Sequence, residues 1–222
     1  MWNVEFGMWN SEIITHYAFR ITHCISVAAM LTFVGSLWID KLYRTSTELT
    51  FPEKISERSK FRKPLLFVAL TILIFKLLPT PAPEIFYLVA AIFLLTLMTF
   101  TDFEQYMLFD AMTLPLAILG AIKIFHLGLN VWDFAAASVI GGGIFLLLAL
   151  VTGGALGGGD VKLIAALGLW LGCEKLLSVV LIGTIAGGIS ALLMILAKKK
   201  DRSSYFAYGP YFTLAAIYFL LT

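Results

Sequence analysis

Thr152-Gly-Gly-Ala-Leu-Gly-Gly-Gly-Asp-Val-Lys162 is the stretch on which the reading of this chain turns. Seven of its eleven residues are Gly, Asp or Lys, and strongly apolar sequence lies on both sides. Asp160 follows three glycines and opens the apolar run 161–171. A carboxylate at the mouth of a membrane helix is costly, which makes it a functional candidate. Gly157, Gly158 and Gly159 give the chain access to positive φ and let another backbone or a peptide approach closely. The plainer reading is a flexible connector whose Asp160 caps the following helix. It loses ground because a second carboxylate, Asp102, ends another apolar segment upstream.

Working outward, the composition sets the class. The 222 residues are 60% hydrophobic and only 14% charged, with a mean hydropathy of +0.92. Soluble domains are about 45–50% apolar and about 25% charged. The chain is therefore expected to be an all-α, polytopic membrane helix bundle. It reads as a single integral-membrane domain over 1–222, with 40–63 as a short loop between the first two helices. A net charge of +2 points to no nucleic-acid partner. Two cysteines, Cys24 and Cys173, give neither a disulfide framework nor a zinc pattern. The N-terminus lacks a basic n-region and a small-residue cleavage site, so the first helix is expected to be retained.

Apolar periods and their polar punctuation predict about eight transmembrane helices. The spans are expected near 17–39, 64–78, 84–101, 111–127, 132–151, 161–172, 176–197 and from 207 onward. Short breaks separate them: a Pro-rich turn at 79–83, a polar segment at 102–110, the Gly-rich stretch, a turn at 173–175, and the 198–200 lysine run. Gly168/Gly172 and Gly183/Gly187 have the small-xxx-small spacing that lets membrane helices pack closely. His16, His23 and Cys24 are read as packed or interfacial side chains. His16 and His23 lie about 10 Å apart along a helix, too far to share one ion. No metal site is expected.

Loop 40–63 carries seven Lys and Arg against four acids, which places it in the cytoplasm. Its charge is read as solvated and orienting. Threading the eight spans from it puts 102–110, 152–160 and 198–206 on the same face. Asp102, Asp110 and Asp160 thus reach one membrane face independently of any motif. Two carboxylates brought close cannot both ionise cheaply; the pair shares a proton, and one acts as base while the other acts as acid. That suits hydrolysis of a peptide bond. No Ser/His/Asp or Cys/His set competes, because His126 and Cys173 fall at the opposite face. The Gly-rich run is no Walker loop, since no Gly-Lys-Ser/Thr follows it.

Gly157-Gly158-Gly159-Asp160 resembles the GxGD signature of intramembrane aspartic proteases, and the run through Gly168 resembles the prepilin peptidase family in particular. Asp102, eight residues before Asp110 and followed by Leu114-Pro115-Leu116 and Gly120, is similar to that family's first aspartate motif. Gly35-Ser36 with Tyr43-Arg44 resembles its early motif, and Tyr208-Gly209-Pro210 its C-terminal one. The resemblance implies an aspartic endopeptidase of the bacterial cytoplasmic membrane with its site facing the cytoplasm. It implies Asp102 and Asp160 as catalytic residues, Gly157 to Gly159 as the active-site loop, and a type IV prepilin or pseudopilin as substrate. Asp110 is expected to cap the fourth helix, and Glu104 to face solvent. For Lys162 two roles stay open: lowering the pKa of Asp160, or binding lipid phosphate. Peptidase activity needs no cofactor. S-adenosylmethionine would serve only a second activity, N-methylation of the new pilin N-terminus. Many bacterial members carry cysteine pairs in the first loop; this chain has no Cys from 25 to 172, which predicts weak or absent methyl transfer. The rival class is a non-enzymatic transporter or assembly factor on a peptidase-like scaffold. Carriers place polar groups at mid-bilayer, whereas here they cluster at one face.

Overall fold

The computed structural model describes residues 2–47, 49–81, 83–153, 156–197 and 206–222, with side chains described from residue 18 onward. The His16 side chain and the 198–200 lysines therefore lie outside the described residues. All regular structure among those residues is helical. The helices are α1 (Trp2–Thr45), α2 (Ile55–Arg58), α3 (Arg62–Leu77), α4 (Glu84–Gln105), α5 (Asp110–His126), α6 (Val131–Val151), α7 (Gly158–Leu196) and α8 (Gly209–Leu220). A 3-10 turn, Pro52–Lys54, precedes α2.

Among the described residues, four segments are long and apolar enough to cross a membrane: Ala18–Thr45, Glu84–Gln105, Val131–Val151 and Gly158–Leu196. The last is two legs rather than one rod. Gly172 sits at φ 72° and ψ −179°, a conformation outside the helical region that only glycine adopts freely. A Cβ placed on Gly141 of α6 would touch both Ile164 and Leu176. Twelve residues of straight helix span about 18 Å, too far for both contacts, so the chain doubles back at Gly172. The reversal expected at 173–175 is thus made one residue earlier, and the helical hydrogen bonding continues on either side. With the two legs counted separately and α2 set aside as a single turn, the bundle has the eight apolar helices expected of the sequence.

The packing order explains which helix is buried. α4 contacts α3, α5, α8 and the flank of α1, while α7 contacts α5, α6 and α8. Ala91, Ile92, Leu94, Leu95, Leu97 and Met98 of α4 are accordingly buried. α6 is apolar all round yet leaves Val139, Ile140, Ile144, Leu147 and Leu150 exposed. A helix of that kind is soluble only in lipid. Close approach depends on small residues. A side chain on Gly168 would collide with the Ser138 backbone of α6, and Gly183 and Gly187 lie against Phe212 and Tyr208. Of the buried threonines of α4, Thr96 donates to Ile92 O at 2.6 Å, and Thr99 shares a 2.7 Å bond with Thr213 that ties α4 to α8.

Candidate active site

The α4 helix ends in a way that fixes Asp102. Tyr106 adopts a left-handed conformation (φ 54°, ψ 38°) and returns its N–H to Asp102 O at 2.9 Å, closing the helix with an αL cap. A non-glycine residue in that region is strained unless its surroundings hold it. Here the Phe51 ring packs edge-on at 5.1 Å, and the Arg58 guanidinium lies 5.2 Å from the Tyr106 ring centre. Asp102 therefore belongs to the last helical turn, not to a polar loop. Its side chain is 5% exposed.

Asp160 comes from the start of α7. Gly157 is extended (φ −68°, ψ 141°), and its carbonyl accepts the Asp160 N–H at 3.0 Å, so the carboxylate sits in the first helical turn, half-buried. Leu108, in the connection from α4 to α5, joins the pieces. It lies against Gly159 of α7 and against Gly209 at the start of α8. Gly209 also abuts the Asp102 carboxylate, where a Cβ would stand 2.7 Å from Oδ2. The two aspartates, far apart in sequence, are thus gathered at one end of the bundle through Leu108, Gly159 and Gly209.

Two opposing influences meet there. Asp160 lies in the first turn of α7, and Asp102, although in the last turn of α4, faces the Gly209 amide that opens α8. Those positive helix ends favour negative charge. Burial and mutual repulsion oppose it. Asp102 Oδ2 is buried and has no hydrogen-bonding partner among the described residues. Two carboxyl groups gathered in this way can share one proton.

Several expectations are corrected. Glu104 is not solvent-facing: it is 4% exposed and accepts hydrogen bonds at 2.9 Å from Tyr43 Oη and from Arg62 Nη1. The 40–63 segment is not merely solvated, because Arg62 is buried between Glu104 and Asp40, and Arg58 donates to Glu104 O at 2.8 Å. Asp110 makes no capping bond to α5; Phe109 is the N-cap residue. Instead Asp110 pairs with Lys162 at 2.7 Å on the exposed rim. His126 and Cys173 do lie at the far end, bonded to Tyr87 and Asp133. Among the described residues no group of three or more His, Cys, Asp or Glu could hold a metal ion. Cys24 is buried, and His23 packs on Phe19.

The architecture defines a polytopic helical membrane protein with paired aspartates at one end of its bundle. Residues 88–192, which carry both aspartates, match the model of the type IV leader peptidase family. The resemblance to the prepilin peptidase family is thereby borne out over that segment. The chain is 37% identical over 134 residues to a "Prepilin leader peptidase/N-methyltransferase" of Neisseria gonorrhoeae, covering 58% of this chain and 45% of that protein. Proteins of the same description from Xanthomonas campestris pv. campestris and Pseudomonas aeruginosa are 30% and 33% identical. Those alignments cover 54% and 53% of this chain and 44% and 43% of the relatives. The chain spans about half the length of the curated relatives it matches. No solved structure matches it.

Proposed function

We propose that this chain is a membrane-embedded aspartic endopeptidase that removes the leader peptide from type IV prepilins or pseudopilins at the cytoplasmic face of the membrane. The observation that carries the reading is the convergence of buried Asp102 and half-buried Asp160 at one end of the bundle, around Leu108 and Gly209. The names of the relatives supply the substrate class. The basic 40–63 segment, at the same end as the aspartates, supports the cytoplasmic orientation.

The chemistry follows from the pair. The ionised carboxylate takes a proton from water as its oxygen attacks the scissile carbonyl. The protonated one donates to the carbonyl oxygen, giving a tetrahedral diol. Collapse of the diol breaks the C–N bond: the second carboxylate takes back a hydroxyl proton of the diol as the carbonyl re-forms, and the leaving amine takes up the proton held by the first carboxyl. Water is consumed, a carboxyl and an amino terminus are produced, and the pair returns to one shared proton. No cofactor enters the balance. The 1–222 chain acts in this reading as one membrane domain, with Gly157 and Gly158 leaving room for a peptide beside Asp160 and Gly159 packed on Leu108. Methylation of the new N-terminus with S-adenosylmethionine is weak or absent, as the missing cysteine pairs suggest.

The test is incubation of detergent-solubilised protein with full-length prepilins. Loss of the leader, read as a mass decrease at one bond, is the expected result. Prepilins left intact across a panel, by protein shown to be folded, would favour the non-enzymatic scaffold.

A further inference from the structure

Of the charged groups outside the aspartate pair, one set is buried. Glu104 Oε2 accepts from Tyr43 Oη of α1 and from Arg62 Nη1 of α3, each at 2.9 Å. The other arm of Arg62 reaches Asp40 of α1. Arg58 donates to the Glu104 carbonyl at 2.8 Å. The next residue is tied as well: Gln105 accepts from Phe51 N at 2.9 Å and donates to Phe51 O at 3.2 Å. The last turn of α4 is thus held at two successive side chains by the segment from Asp40 to Arg62.

We propose that Tyr43, Arg62 and Glu104 form a positioning clamp that sets the direction in which Asp102 enters the active site. The clamp rests on the reading of Asp102 as half of the catalytic pair. Residues two apart on a helix point about 200° away from each other. Glu104 is accordingly drawn toward α1 and α3, while Asp102 faces Gly209 and α8 on the other side. Fixing the first fixes the rotation of the turn, and with it the second. The composition of the clamp supports this role over a stabilising one. A buried ion pair recovers little net stability over apolar residues of the same volume, because desolvation consumes most of the attraction. Arg62 can bridge two carboxylates because its guanidinium is a rigid fork; a lysine offers a single point charge. Arg62 is 3% exposed and Glu104 is 4% exposed, so neither serves solubility or orientation in the membrane.

The experiment compares the double variant Arg62→Met/Glu104→Leu with Glu104→Gln, Tyr43→Phe and Asp102→Asn in the prepilin assay, with melting followed in detergent. The double variant keeps volume and removes the buried Arg62–Glu104 pair, leaving the Asp40 carboxylate at the half-exposed edge. It should melt like the parent while kcat falls on the order of tenfold or more and KM stays within about twofold, because misplacement by a fraction of an ångström costs rate rather than binding. Glu104→Gln, which still accepts from both partners, should retain most of kcat. Tyr43→Phe deletes one bond without disturbing the fold and should lower kcat several-fold, so the test stands even if the double variant fails to fold. A well-folded double variant with parental kcat, or Tyr43→Phe indistinguishable from the parent, overturns the clamp. Active Asp102→Asn would instead sink the catalytic reading beneath it; inactive Asp102→Asn beside a fully active clamp variant sinks the clamp alone.

Discussion

Gly209→Ala adds one methyl group at the point where α8 meets the active site. Its Cβ would stand 2.7 Å from Asp102 Oδ2, 3.1 Å from Asp102 Cγ and 3.3 Å from Leu108 Cδ1. Ordinary contact begins at 3.4 Å, so the carboxylate must retreat by about 0.7 Å (3.4 − 2.7) or α8 must withdraw. A displacement near 1 Å at a reacting group costs roughly a hundredfold, so cleavage should fall on the order of 10- to 100-fold. Stability should move little. Alanine gains about 0.5–1 kcal/mol over glycine inside a helix, which offsets part of the crowding. Gly188→Ala is the control, because its Cβ meets nothing within 4 Å. The assay is initial-rate leader removal in detergent, paired with a melting curve for each variant. Gly209→Ala cleaving within threefold of the parent while Gly188→Ala does the same would refute the placement of Asp102 against α8.

Three further outcomes follow from the same geometry. Asp110→Asn should leave cleavage near parental and cost no more than the roughly 0.2–1 kcal/mol typical of an exposed ion pair, measured by melting; an inactive, folded Asp110→Asn would move the first catalytic role to that residue. Native Cys173, at the end opposite the aspartates, should react with an impermeant thiol reagent added to intact cells, whereas Ser56→Cys on a Cys173→Ser background should not. Labelling at Ser56 from outside inverts the topology. Mass spectrometry of the processed product should show no added methyl group in a host lacking other such enzymes, and a stoichiometric gain of one methyl would contradict that expectation.

The sequence carried the outline of the bundle because membrane spans are written locally, as apolar runs broken by Gly, Pro and charge. The two aspartates were legible for the same reason: each interrupts an apolar run at a helix end. The surroundings of Asp102 were not. Glu104 reads as surface because a carboxylate at a helix end is usually solvated, and its burial depends on Tyr43 and Arg62, 61 and 42 residues away in sequence. Arg62 counted toward a basic loop when only its charge was visible, yet its guanidinium bridges two acids inside the bundle. Asp110 looked like a cap by position, but its carboxylate pairs with Lys162 across the gap to α7, 52 residues away in sequence. Gly172 shows a different limit. Its spacing from Gly168 suggested helix packing, while its left-handed φ makes it the reversal between two legs.

Cleavage of a prepilin by the purified parent protein, Asp102→Asn, Asp160→Asn and the double variant tests the central claim most directly. Asp→Asn keeps shape and hydrogen-bonding capacity but removes the titratable carboxyl proton. Both single variants should lose cleavage by orders of magnitude, and the double variant should be little worse than either, because residues acting as a unit are strongly non-additive. The parent's rate should fall on both sides of a pH optimum, as a pair needing one proton requires. Leader removal at the parental rate by folded Asp160→Asn would contradict the account.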